Sequence, residues 1–381
     1  MDFTFTSEQR LIQKMAREFA QKELAPIAAE IDRDARFPLE TVEKMRANGM
    51  LGMTIPRAYG GAGVDTLAYV LAEEEIAKVC MSSAAILGGQ NSLCSWALLN
   101  KGTPEQKQKY LTAMGTGEKL AAFATTEVNA GSDVSGQQTT AVLDHGQWVI
   151  NGNKIFITNG GYADFYLILA VTDREKRNKG FSVFIVDAGT EGFTIGPKDD
   201  KMGQRASSTT ELIFQNCRIP EENLLGQPGE GFKIVMQSLD SGRISVGAQC
   251  VGLAQGALDE AVKYIQQRKQ FGKPLSSNQY LRFTIADMAT RLDAARLLVY
   301  RAADRKMRGT LSNSEAAMAK LFASETCSWI CKKALNMFGG YGYTKEFAIE
   351  RMYRDAAIVE DRKSTRLNSS HSAKPRMPSS A

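Results

Sequence analysis

The sequence predicts an α+β fold: a helical N-terminal unit, a small antiparallel β unit, and a C-terminal four-helix bundle. Two observations carry the prediction. Apolar residues recur at steps of three and four up to about residue 120 and again beyond about 231, and between these stretches the period falls to two. The strand-like runs are separated by Gly, Asn and Asp clusters with no helical pattern between them. That spacing argues for an antiparallel barrel or sandwich rather than βαβ units. The expected domains are 1–120, 121–230 and 231–360, followed by a tail at 361–381.

Thr6 and Gln9 have the spacing of a capping box, and Ile12, Met15 and Phe19 follow at helical spacing until Pro26 stops the run. Pro38 opens a second helix that Gly49 closes, and Asp65, ending the Gly-rich stretch 59–65, caps a third over 66–79. Further helix is expected at 92–100 and 104–114. Strand patterns follow at 141–143, 147–158, 165–172, 180–187 and 209–214, with a turn at 144–146. Helical period then returns. Val251, Ala254, Leu258, Ala261 and Ile265 mark one helix, and Leu281, Ile285, Met288, Leu292, Ala295 and Val299 a second. An alanine-rich helix at 314–338 and a shorter one at 348–360 complete a bundle.

The net charge of +5 is concentrated at the end of the chain, where five Lys and Arg residues after position 360 face Asp361 alone. The first 360 residues are nearly neutral, which gives no electrostatic case for binding nucleic acid or a membrane surface. No apolar run approaches the ~20 residues of a membrane span. The N-terminus lacks a basic-then-apolar signal, and the six cysteines show no framework spacing, so a reducing cytoplasm is expected. Cys327 and Cys331 would share a helix face; they are read as buried small apolar residues rather than a metal or redox pair. No strand-to-helix G-x-G-x-x-G is present, which argues against a Rossmann dinucleotide site.

Three stretches have the residue types of a binding site. Asn129 to Ser132 can form a tight turn presenting backbone N–H groups and hydroxyls to a cleft, or simply a turn. Arg268, ahead of Gly272, can fork onto a pyrophosphate or end a solvated helix. Asp240 and Arg243 can contact a ligand or pair with each other.

The stretch 123–133, FATTEVNAGSD, is similar to the L-T-E-P-x-A-G-S-D signature of the acyl-CoA dehydrogenase family. KIFITNGG at 154–161, RKQFGKPL at 268–275, FGGYGYTKE at 338–346 and ERMYRDA at 350–356 resemble its later blocks, in the same order. The resemblance covers residues 1–360, and LDSGR at 239–243 together with the length resembles the bacterial short-chain, butyryl-CoA type.

It implies an acyl-CoA dehydrogenase-like fold with FAD extended between the β unit and the C-terminal bundle. Phe123, Thr125 and Thr126 would contact the isoalloxazine edge, with Gly131 and Ser132 near the pyrophosphate and the substrate thioester. Phe156, Ile157 and Thr158 would cover the other side of the flavin. Arg268, Gln270, Phe271, Gln279, Asn336, Gly339 and Gly340 would bind the FAD of a neighbouring subunit in a homotetramer built as a dimer of dimers. Asp240, Ser241 and Arg243 match coenzyme A contacts, alongside Ser132. Val128 replaces the usual proline and Asn336 the usual glutamine.

By the same resemblance the chain would oxidise a short, or short branched, acyl-CoA to the 2-enoyl-CoA and pass electrons to an electron-transferring flavoprotein. Removing the α proton needs a carboxylate, which the family supplies three residues after the position of Glu360. This chain has Lys363 there. Gly242 occupies the alternative base position found in some relatives, and Glu360 lies one turn short, so no catalytic residue is assigned and the chain as written is expected to be impaired. The other readings are an acyl-CoA oxidase or flavin monooxygenase relative, and a catalytically inactive acyl-CoA-binding flavoprotein.

Residues 361–381 are polar and aperiodic, so disorder is expected. DRKSTRLNSSH also reads as one translation frame of a common sequencing-adapter oligonucleotide, which makes the tail an expected assembly artefact. Sequencing the source DNA across codon 360 should show the native frame continuing differently; native coding sequence running into DRKST would overturn this.

Overall fold

Thr6 starts the first helix as its spacing predicts: its hydroxyl accepts from the Gln9 N–H at 3.2 Å while the Gln9 amide reaches back to the Thr6 N–H at 3.0 Å. The computed structural model describes residues 4–361. Helix α1, Ser7–Phe19, runs on through a wider turn to Leu24 before Pro26 breaks it, and a short helix at Ala28–Arg33, not anticipated from the pattern, precedes Leu39–Ala47. Asp65 caps α2, Thr66–Val79, by accepting from the Ala68 N–H at 2.7 Å. Shorter helical segments then lead to Gly115.

The strands are β1 Ala121–Ala124, β2 Thr140–Asp144, β3 Gln147–Thr158, β4 Phe165–Val171, β5 Phe181–Asp187, β6 Phe193–Lys198, β7 Thr209–Pro220 and β8 Leu224–Leu225. They form one sheet in the order β6-β7-β3-β2-β4-β5-β8, with β1 added on β4. Most pairings are antiparallel, as expected. The exceptions are β1 on β4, and one residue pair between β2 and β4, which run parallel. The pattern also missed β6 and the second half of β7, where solvent-facing residues interrupt the apolar alternation.

Strand β4 is buried on both faces, which explains its unbroken apolar run. Phe165, Leu167, Leu169 and Val171 pack on the helical residues Leu98, Leu111, Ile234 and Val235, whereas Tyr166, Ile168 and Ala170 pack against Trp148, Leu212 and Phe214 across the folded sheet.

Helix α3, Gly231–Gln267, is the longest element; α4, Gln279–Met307, α5, Asn313–Met337, and α6, Ala348–Ala356, pack beside it, so the predicted four helices are all present. Among the described residues no helix is long and apolar enough to cross a membrane. Cys327 and Cys331 are fully buried in the helical core with Cys250. Lys363 and the tail beyond Asp361 lie outside the described residues.

Helices α2 and α3 touch backbone to backbone. A Cβ on Gly252 would sit 2.2 Å from the Glu74 carbonyl oxygen, and one on Gly256 2.4 Å from that of Lys78. Gly252→Ala should therefore force these helices apart and lower stability by about 1–3 kcal/mol, checked by the denaturation midpoint.

Candidate functional site

The residues at 125–132, the end of β3 and the first half of α3 meet around a cavity of about 1020 Å³. Its walls include Thr125, Thr126, Gly131, Ser132, Phe156, Thr158 and Arg243, with Met202 to Gln204 and the turn Ala357 to Ile358 opposite. Behind it lies a pocket of about 60 Å³ bordered by Phe123, Ile157, Gly242, Ser245 and Gln249, with Gly88 and Leu93 at one side. Thr125, Thr126, Phe156 and Thr158 border both spaces.

Local chemistry explains this convergence. The turn expected over Asn129 to Ser132 forms two residues earlier: the N–H and C=O groups of Glu127 and Ala130 bond each other at 3.1 and 3.2 Å, and Gly131 and Ser132 emerge beside the cavity. Val128 points into solvent at 74% exposure. On β3 the ladder slips between Lys154 and Ile157. Within that bulge the Ile155 N–H donates to the Thr126 carbonyl at 2.9 Å, and Phe156 takes a φ of 57°. A positive φ at an aromatic residue costs about 1–3 kcal/mol, and here it leaves the ring 65% exposed at the cavity.

Sequence reasoning missed the support beneath this loop. The ammonium of Lys154, fully buried, donates at 2.7 Å to both the Glu127 carboxylate and the Gln137 amide oxygen. Burial pushes Lys154 down to about 8 against the pull of Glu127. Glu127 is held below the ordinary carboxylate value despite its own burial, because Lys154 and the Thr139 and Gln138 donors outweigh desolvation. The available signal was a lysine in the buried phase of a strand, in line with Trp148 and Ile150.

A second buried network closes the small pocket. Glu73 accepts from Ser245 Oγ at 2.8 Å and from Gln249 Nε2 at 2.6 Å, and Tyr69 Oη lies 3.1 Å from Ser245 Oγ. Burial, then the nearby Glu73 charge, raises the Tyr69 phenol well above its usual value.

Of the three residues assigned to coenzyme A contacts alone or with Ser132, Arg243 borders the large cavity. Its Nη1 donates to Asp240 at 2.6 Å, and its Nε, in a side chain only 9% exposed, has no hydrogen-bond partner among the described residues. Asp240 therefore forms the pair that the sequence left as an alternative. Ser241 instead accepts from Lys306 at 2.6 Å. The second group sits elsewhere: Arg268, Gln270, Phe271, Gln279, Asn336, Gly339 and Gly340 are exposed and border neither cavity. Arg268 lies over the Tyr341 ring at 5.6 Å, Phe271 and Gly272 form a hairpin turn at positive φ, and Gly339 has a φ of 58°.

Helix α6 is tied to both other units. Arg354 pairs with Asp32 at 2.6 Å and Glu350 at 2.7 Å, and Asp355 accepts the Gln204 N–H at 2.5 Å. The Glu360 carbonyl accepts from Lys320 at 2.7 Å, and Glu360 does not border the cavity, whereas Asp361 does.

Comparison with known proteins assigns each of the three units to a family. Residues 6–118, 122–217 and 229–360 match, respectively, the N-terminal, middle and C-terminal domain families of acyl-CoA dehydrogenase. The chain is 51% identical over 360 residues to a short-chain-specific acyl-CoA dehydrogenase from Clostridium acetobutylicum, covering 94% of this chain and 95% of that one. The butyryl-CoA dehydrogenase structure from Megasphaera elsdenii superposes with a TM-score of 0.95 at 44% identity, covering 97% of each chain. A chain from a structural study of the electron transferring flavoprotein of Acidaminococcus fermentans and flavin-based electron bifurcation also gives 0.95, at 46% identity, over 98% of this chain and all of that one.

Burial pushes Asp355 from 3.8 up to about 6. Between about pH 4 and 6 the folded state then binds a proton that the unfolded chain has released, so this group's contribution to stability grows as pH falls through that window. Relative to Asp355→Asn, the wild type should gain about 1.4 kcal/mol per pH unit across it, measured by denaturation at several pH values.

Proposed function

Because the chain belongs to the acyl-CoA dehydrogenase family, we propose that its parent enzyme carries out FAD-dependent α,β-dehydrogenation of a short-chain acyl-CoA, giving the 2-enoyl-CoA. The observation that carries this reading is a cavity of about 1020 Å³, bordered by Thr125, Thr126, Gly131, Ser132, Phe156 and Thr158, next to a pocket of about 60 Å³ that shares four of these residues. The fit is chemical as well as spatial. Threonine and serine hydroxyls and the backbone around Gly131 offer hydrogen bonds to a polar ring edge, the Phe156 ring offers an apolar face, and Arg243 Nε is an unused donor.

When bound, FAD supplies the acceptor for the substrate's β hydride. The chain's own part is positioning. Thr126 and Thr158 orient the ring edge, Ser132 and Arg243 hold the thioester end and the coenzyme arm, and Phe156 excludes water. The shallow pocket, closed by Leu93 and by the Ser245 and Gln249 network, favours short acyl chains. Electron-transferring flavoprotein is the proposed electron acceptor, and the cytoplasm the proposed location. Assembly as a homotetramer is supported by the exposed Phe271, Tyr280, Phe283 and Tyr343, which share the surface segments of Arg268, Gln279 and Gly339.

The missing step is proton removal. A lysine at position 363 cannot act as the anionic base that the reaction requires, and Glu360 does not reach the cavity wall. For the chain as written we propose acyl-CoA binding without appreciable turnover, which is also the reading of an inactive binding flavoprotein. The test compares the chain with a variant in which residues 361 onward are replaced by IYEGTSEIQ, titrating acyl-CoAs of increasing length against flavin absorbance without oxygen. The repaired chain should bleach, most readily with four-carbon acyl groups, and the original should not. Failure of the repaired chain to bleach at any length would count against dehydrogenation; steady peroxide formation in air would favour an oxidase.

A further inference from the structure

We propose that Lys154 is the positioning residue for the loop 125–139, acting through Glu127 and Gln137 to set the cavity wall and, on the flavin reading above, the affinity for FAD. Neither Lys154 nor Glu127 borders either cavity, so any effect on the site passes through the loop or along β3 to Phe156.

The geometry gives Lys154 control of both ends of that loop. Its ammonium holds Glu127 and Gln137 simultaneously, each at 2.7 Å. Gln137 in turn donates to the Thr125 carbonyl at 2.6 Å, which fixes the loop's entry. Glu127 accepts the N–H groups of Gln138 at 2.6 Å and Thr139 at 3.0 Å, which fixes its exit. The residue after Lys154 donates its N–H to Thr126, and the next is Phe156. One fully buried side chain therefore sets the register between the two walls that carry Thr125, Thr126, Phe156 and Thr158.

An apolar side chain would fill this position without the cost of burying a charge. Buried ion pairs contribute little net stability, and their best-attested role is to select one arrangement, because any shift that separates the partners leaves a charge unpaired in a low dielectric. A loop containing Asn129, Gly131, Ser132 and Gly136 has little apolar surface of its own to hold a single conformation. Here the charge pair supplies that constraint.

The experiment uses the full chain with Lys154→Met, and with Gln137→Met as a milder variant that keeps the Lys154 and Glu127 ion pair and removes both Gln137 bonds, the one from the ammonium and the one to the Thr125 carbonyl. Without cofactor, amide hydrogen exchange should accelerate at Gln138, Thr139 and Ile155 in the first variant, by on the order of tenfold or more for each 1.4 kcal/mol of lost protection, while α2 is unchanged. In the second variant the acceleration should be confined to Thr125 through Glu127. With FAD titrated against each apoprotein, the dissociation constant should rise by on the order of tenfold for Lys154→Met and less for Gln137→Met. The visible flavin spectrum should lose its protein-bound fine structure in parallel. A lowered thermal midpoint with unchanged loop exchange and wild-type FAD affinity would show a merely structural pair and overturn the proposal. If Lys154→Met does not fold, unchanged exchange and affinity in Gln137→Met overturn it equally. Wild-type chain that takes up no FAD would refute the flavin reading, while the exchange measurements still decide the role of Lys154.

Discussion

Everything in this molecule hangs from close backbone contact along one helix. Helix α3 has 37 residues, a length of about 55 Å, and three of its glycines meet other backbones. Gly231 lies against Ser182 of β5, with a would-be Cβ 2.6 Å away, and Gly252 and Gly256 lie against α2. Its first turns thus belong to the sheet-side core, through Ile234 and Val235, and its later turns to the helical core, through Val251, Ala254 and Leu258. The large cavity is lined by Phe232, Met236, Leu239 and Arg243 in the first half of the same helix. A Cβ at any of the three contacts would separate the walls of the site as well as loosen the packing.

Polar interactions supply the discrimination that apolar packing lacks. Hydrophobic burial is non-directional and tolerates small slips. The Lys154 and Glu127 pair, the Arg354 clamp on Asp32 and Glu350, and the Glu73, Ser245 and Gln249 network do not, since each is buried or nearly so and loses a partner if its elements move. These three lie at the loop bordering the large cavity, at the closure of α6 onto the other units, and beside the small pocket. Backbone strain at Phe156 is sustained by the same framework, because the Ile155 bond to Thr126 holds the bulge in place.

Much of the fold was legible in local sequence. The capping box at Thr6, the Asp65 cap and the apolar steps in α3 and α4 all reappear at their residues, because caps and helical period are short-range and each is satisfied within a turn or two. The strand β6, the parallel placement of β1 and the short helix at Ala28–Arg33 were not legible. A six-residue strand with five solvent-facing or half-exposed positions has little alternation to read, and the direction of pairing depends on where the chain returns. The position of the site loop was readable from its Asn, Gly and Ser content, although the turn itself closes at Glu127 and Ala130.

The sequence by itself determined the order of helical and strand units and the family to which the chain belongs. Those are properties of linear pattern and of residue identity. Only the tertiary structure decided that Asp240 pairs with Arg243, that Ser241 serves Lys306, that the Arg268 and Gly339 group stands apart from the cavity, and that Lys154 underlies the loop in front of it. The physical reason is the same in each case. A buried polar side chain takes whichever complementary group the packing brings within about 3 Å, and that partner lies on another element or turn that spacing alone does not select.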